Sequence, residues 1–213
     1  MAFLNKLTQS RKTILEMLEL RNYNYEKYNN YSANELDIML KNMDKKINYE
    51  HMPLDIECDN KKEDKKELIK YILTRVRVAN LKTLISELIE YEKIKTNDDI
   101  IFIVKDKINN LESFYNLFNG FLKSNNIFVQ IFSIDNLIIN ITKHELVPDM
   151  RIVSKDEEKD IKKKYNIENN SNIPIILTSD PSAMFYGIKS GDLVEITRTS
   201  ESSGKYISYR YCE

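Results

Sequence analysis

Residues 144–213 read HELVPDMRIVSKDEEKDIKKKYNIENNSNIPIILTSDPSAMFYGIKSGDLVEITRTSESSGKYISYRYCE, and the punctuation of this stretch decides how the last third of the chain folds. Ser154 followed by Glu157 is a capping-box pair, hydroxyl to the N3 amide and carboxylate back to the N-cap amide. A charged helix is therefore expected over residues 156–165. Ser179-Asp180-Pro181 opens a shorter helix, because an oxygen-bearing side chain caps the first N–H groups and proline fits a turn where no N–H is needed. Gly187 ends it as a C′ glycine. Residues 173–177 form a short apolar strand, which Pro174 confines to a strand start or a sheet edge. Leu193, Glu195 and Thr197 alternate with Val194, Ile196 and Arg198, residues 206–211 alternate in the same way, and residues 200–204 join the two as a hairpin.

Upstream of residue 142 the texture differs, since three of the four prolines and three of the four glycines lie beyond that point. Leu7, Ile14, Leu15, Leu18 and Arg21 recur at helical spacing. Ser32 and Glu35 make a second capping box, followed by Leu36, Met39, Leu40 and Met43 at i, i+3, i+4 and i+7; the polar stretch 22–31 connects the two helices. Leu54, Ile56 and Cys58 alternate as a half-buried strand would, and residues 60–66 are a solvated charge run. Residues 68–73 suit a strand or a helix. Leu81, Leu84, Ile85, Leu88 and Ile89 form a helical stripe, 99–104 a buried strand, 111–122 a second helix, and 127–132 and 137–141 two more strands. The expected fold class is mixed α+β and α/β: a helix-flanked mixed sheet over 1–141, then a small α+β domain over 142–213.

Composition narrows the function. The longest clean apolar run, residues 100–104, is far below the ~20 residues of a membrane helix, and no secretory signal is expected from the residues after Met1. Cys58 and Cys212 are distant and outside any C-x-x-C pair, so an intracellular, reducing setting is expected and a thiolate metal site is not. The chain carries 32 Lys+Arg against 33 Asp+Glu; from Thr142 onward the balance is 11 against 12, leaving 21 of each sign before it. Neither part has the cationic surplus that phosphate neutralisation demands of a free-standing nucleic-acid binder. The richness in Asn, Lys, Ile and Tyr fits an AT-rich genome.

Catalytic signals are sparse. The two histidines, His51 and His144, suit surface or hydrogen-bonding roles better than metal ligation, and no phosphate-loop, dinucleotide or nucleophile-elbow motif occurs. No cofactor or metal is expected. One enzyme reading competes: a metal-dependent nuclease of restriction-enzyme type needs an Asp followed by acid-x-Lys on a neighbouring strand. Asp55 and Glu57 could supply carboxylates, yet Glu67 and Lys70 fall on opposite strand faces and Glu92-Lys93 are adjacent. The mixed-sign run Lys61–Lys66 reads as solvated charge, and Phe114, Phe118 and Phe121 as a core stripe.

Together the C-terminal signals resemble a family. His144-Glu-Leu-Val-Pro148, Ser154-Lys-Asp-Glu-Glu158, Lys164-Tyr165, Pro174, Ser179-Asp180-Pro181, Phe185-Tyr186-Gly187-Ile188 and Gly191 match, in order, the assembly domain of the fifth-largest subunit shared by eukaryotic RNA polymerases I, II and III, which has an archaeal counterpart consisting of this domain alone. Arg198, Ser200-Glu201, Gly204, Tyr206 and Tyr209-Arg210 continue the match. Arg11-Lys-Thr-Ile14 and Arg21-Asn-Tyr23 look like the opening helix of the eukaryotic form's N-terminal jaw, and residues 138–142 like the strand feeding the assembly domain. The resemblance implies a non-catalytic protein that docks on the largest polymerase subunit, beside neighbouring small subunits, and lays its jaw near downstream duplex DNA, with no membrane contact. It implies interface roles for His144, Leu146, Val147, Pro148, Arg198, Tyr206, Tyr209 and Arg210, and structural roles for Asp180, Pro181, Gly187 and Gly204. Met150, Met184, Thr199 and Ile108-Asn-Asn-Leu111 depart from the family pattern and point to a divergent protist or giant-virus member, nuclear in a cell, or in a cytoplasmic factory or virion if viral.

Overall fold

Every residue of Asp99–Val104 (β3) and Phe128–Ser133 (β4) is buried, the mark of strands covered on both faces. In the computed structural model, which describes residues 2–29, 31–41, 53–108, 111–200 and 204–213, both belong to a four-stranded sheet of order β1-β2-β3-β4. β1 (Ile56–Asp59) runs antiparallel to β2 (Lys66–Ile72), and β2, β3 and β4 are parallel. Parallel neighbours require crossovers. These are made through α3 (Val78–Glu90) and α4 (Leu111–Asn125). Register sets Leu68, Ile100 and Val129 on one face and Ile69, Ile101 and Gln130 on the other. The first face packs on the apolar stripes of α3 and α4, with Leu81, Leu84, Ile85, Leu88, Phe114 and Phe118 buried there.

The second face meets α1 (Ala2–Leu20), whose Leu7, Ile14, Met17 and Leu18 are buried. Just past its end, Arg21 donates to Glu67 Oε1 at 2.5 Å and to Gln130 Oε1 at 2.7 Å. Arg11 donates to the Leu54 carbonyl at 2.8 Å and lies over the Tyr31 ring. α2 (Ala33–Lys41) begins with the expected box: the Ser32 amide donates to Glu35, and the Glu35 amide to Ser32 Oγ. Met43 and His51 lie outside the described residues.

Three expectations change. The charge run is not wholly solvated: Lys65 pairs with buried Asp99. The polar connection after α1 contains buried Tyr23, bridged to Asn60. Residues 137–141 are not a strand but the end of one 3₁₀ turn, Ile134–Leu137, and the start of another, Ile141–Lys143. Side-chain caps decide this, because Ser133 Oγ accepts from the Asp135 amide and Asn140 Oδ1 from the Thr142 amide, and such local bonds compete with a sheet ladder.

The chain divides into two compact units, Met1–Ile139 and Asn140–Glu213. The second holds a sheet of order β5-β7-β8-β6, with β5 Asp149–Ile152, β6 Ile175–Ile176, β7 Leu193–Ser200 and β8 Gly204–Cys212. α5 (Lys155–Lys164) starts from the full Ser154–Glu157 capping box, with three acids in its first turn and three lysines in its last, a layout that suits the helix dipole. α6 (Pro181–Tyr186) is capped by Asp180, whose Oδ1 accepts from the amides of Ser182 and Ala183. Gly187 ends α6 at φ 70°, a left-handed conformation that glycine adopts without steric cost.

Candidate interaction surface

Among the described residues, the sheet of the second unit is covered near its base and bare where β7 ends and β8 begins. Val194, Ile196, Ile176 and Cys212 pack with Ala183 and Ile188 of the α6 segment. On the opposite face Leu193, Val153 and Ile173 pack with Ile161 of α5, Tyr209 and Tyr211. β5 pairs only with residues 194–197 of β7, and β6 only with the last residues of β8. The paired residues Arg198–Ser200 and Gly204–Tyr206 therefore extend past both flanking strands. Tyr206 and Ile207 stay 57% and 49% exposed.

The residues implicated by the resemblance fall in four places. His144, Leu146, Val147 and Pro148 form a turn before β5, held by the Val147 amide on the His144 carbonyl at 2.9 Å and the Leu146 amide on His144 Nδ1 at 3.2 Å. Leu146 points outward, 84% exposed. Arg198 and Tyr206 face each other across the bare hairpin. Tyr209 and Arg210, by contrast, are engaged within their own unit. The Tyr209 hydroxyl donates to Glu195 at 3.3 Å and its ring lies 5.9 Å from that of Tyr165, while Arg210 donates to the Ile175 carbonyl at 3.1 Å. Asp180, Pro181, Gly187 and Gly204 sit at a helix start, a helix end and a hairpin shoulder, Gly204 at φ 71°.

Sequence reading passes over Arg151. Its guanidinium bridges two carboxylates, Glu157 at 2.9 Å and Glu195 at 3.0 Å. The register that sets Arg151 opposite Glu195 exists only once β5 and β7 are paired. Ile175 and Leu177, expected as part of a short apolar strand at a strand start or sheet edge, are 47% and 60% exposed. Bonds from the Ser154 amide and hydroxyl, then Arg151, hold Glu157 below the usual carboxylate range. Burial pushes Asp192 up and the Cys212 thiol up to about 12, so Cys212 behaves as a packed apolar group.

The competing nuclease site does not assemble. Asp55 accepts from Lys70 Nζ at 3.2 Å and from the Tyr71 amide at 3.1 Å, and Glu57 pairs with Lys66 at 3.2 Å. Two residues before Lys70, where an acid-x-Lys motif places its carboxylate, stands Leu68, packed against the core. Among the described residues no group of three or more His, Cys, Asp or Glu is arranged to hold a metal, and no helix is long and apolar enough to cross a membrane.

Residues 139–212 match the family model for the RNA polymerase Rpb5 C-terminal domain. The chain resembles Rpb5. It is 28% identical to the Dictyostelium discoideum protein named DNA-directed RNA polymerases I, II, and III subunit rpabc1, over 98% of both chains. It is 39% identical to the RPABC1 subunits of Caenorhabditis briggsae and Caenorhabditis elegans over 74 residues, 35% of each chain. The nuclease reading finds no support in these relatives. The Rpb5-matched segment contains both the exposed turn at Leu146 and the bare hairpin.

Proposed function

We infer that this chain is a non-catalytic structural subunit of a multisubunit DNA-directed RNA polymerase, docked on the largest subunit through residues 142–213, with residues 1–141 acting as a jaw near downstream DNA. The observation that carries the reading is the overlap of the Rpb5 match, 139–212, with the separate unit Asn140–Glu213, joined to likeness with an RNA polymerase subunit over nearly the whole chain. Leu146, Val147 and Pro148, together with Arg198 and Tyr206, supply the dock: an apolar turn beside an uncovered hairpin, with tyrosine and arginine among the residue types enriched at interfaces. Neighbouring small subunits complete the seat, and a stable dock buries about 1,200–2,000 Å² in total. The even charge balance of residues 1–141 keeps the DNA contact auxiliary, because a neutral surface releases few counterions. The protein works where its polymerase works, in the nucleus of a cell or, for a viral member, in a cytoplasmic factory or virion.

Affinity purification of the tagged full chain from its own cells or infected host tests this. Stoichiometric recovery of the largest polymerase subunits is expected. A preparation that retains none of them overturns the assignment.

A further inference from the structure

A cavity of about 600 Å³ opens in the first unit where β2 and β3 end and α3 begins. Its size lies within the ~300–1,000 Å³ typical of small-molecule sites, and its lining is of two kinds. Val76, Val78, Val104, Ile108 and Phe114 make it apolar. Arg75, Arg77 and Lys107 bring three cations to the same cavity, against one carboxylate, Asp106. All three cations are exposed, whereas Val104 and Phe114 are buried. Lys107 also acts on Asp135, lowering that carboxyl, although Lys6 contributes more. Arg77 is the N-cap residue of α3 and makes no side-chain cap bond, so it adds charge at the helix start without closing it.

We propose that this cavity docks an acidic peptide segment of a partner protein, with an apolar side chain of the peptide seated among Val76, Val78, Ile108 and Phe114 and its flanking carboxylates met by Arg75, Arg77 and Lys107. Charge complementarity selects the flanks, since three cations outnumber one acid around the opening. The apolar lining selects the anchor. A nucleic-acid backbone would use the cations and leave the valines and phenylalanine uncovered, whereas an anchored peptide satisfies both. Buried apolar anchors supply most of the energy in such contacts, while rim charges steer and orient. The site does not depend on the polymerase assignment, and its test uses the isolated full chain.

The probe is a fluorescent peptide with one phenylalanine flanked on both sides by Asp and Glu. Three competitors accompany it: the same peptide with serine for phenylalanine, the same peptide with Asn and Gln for the acids, and a 20-base-pair duplex. Saturable binding is expected, weakened at least about tenfold by either peptide change and roughly fivefold to tenfold by the double variant Arg75→Ser/Arg77→Ser, a range set by two rim charge pairs. Circular dichroism of the variant checks that the fold persists. Absence of saturable peptide binding, equal binding of the serine peptide, or tighter binding of the duplex would overturn the proposal, and the last would make the cavity a phosphate contact.

Discussion

The two units hold their sheets in different ways. In the first, three of the four strands run parallel, β3 and β4 are covered on both faces, and charge is drawn inside: Arg21 and Glu67 form an ion pair whose side chains are 6% and 0% exposed. In the second, the sheet is mixed, its tip is bare, and most charge stays at the surface, as with Arg151, Glu157 and the lysines of α5. A buried pair must satisfy strict geometry because desolvation costs several kcal/mol per ion. An exposed pair is screened by water and salt and contributes ~0–1 kcal/mol. The first unit is therefore the more brittle to single substitutions, and the second the more tolerant, with its surface left available for partners.

Removing Arg21 tests the brittle side most severely. Arg21→Ala deprives both Glu67 and Gln130 of their donor inside a closed core, and loss of one member of such a pair costs about 3–5 kcal/mol. Urea denaturation should show that loss. The double change Arg21→Met with Glu67→Leu should recover much of it, because it leaves no buried charge without its counter-charge, although the Arg21 bond to Gln130 is still lost. A single variant as stable as the parent would show that the buried pair has no structural weight.

Acid titration separates the units by sign. Burial outweighs the attraction of Arg21 and raises the Glu67 carboxyl above its ordinary 4.5. A carboxyl raised in the folded state contributes stability that is full below pH 4.5 and lost as pH rises through the folded value. Glu158 is the reverse. Its bond from Lys162 lowers it below 4.5, so its contribution is present above that pH and lost as pH falls through the folded value. Native-state hydrogen exchange, read for each unit across pH 3 to 7, should show Glu67→Gln flattening the loss on the rising side and Glu158→Gln flattening the loss on the acid side. Identical profiles for parent and variants would remove the distinction.

What could be read from sequence follows the same division. Capping boxes, the Asp180-Pro181 helix start and the Gly187 stop were legible because each is local, written in four or five adjacent residues. The hairpin arms were legible from their alternation. The buried role of Lys65 was not, since its partner Asp99 lies on another strand, and the register that joins them is set by the whole sheet. Arg151 was missed for the same reason. Residues 137–141 misled because Ile-rich sequence suits a strand, while two side-chain caps, Ser133 and Asn140, turn the backbone into 3₁₀ geometry. At the candidate surface, the sequence marked Tyr209 and Arg210 as well as Leu146 and Tyr206. Cross-strand partners engage the former pair within the unit and leave the latter pair outward.

That last difference makes the gentlest prediction. Leu146 is 84% exposed, and the hydrogen bond its backbone N–H donates to His144 Nδ1 does not involve its side chain. Leu146→Ser removes apolar area that folding never buries, so the unfolding free energy should stay within about ±0.5 kcal/mol of the parent, as surface substitutions do. Docking reads the same change differently. If the turn seats on a polymerase subunit, burying that leucine contributes about 1.5–3 kcal/mol, and Leu146→Ser combined with Tyr206→Ser should sharply reduce recovery of large subunits in the affinity purification. Tyr209→Phe serves as the contrast, since its hydroxyl bonds to Glu195 inside the unit and its ring remains packed. Undiminished recovery with the Leu146/Tyr206 pair would move the dock off the bare tip and onto another face of the same unit, with the exposed β6 edge at Ile175 and Leu177 the next surface to probe.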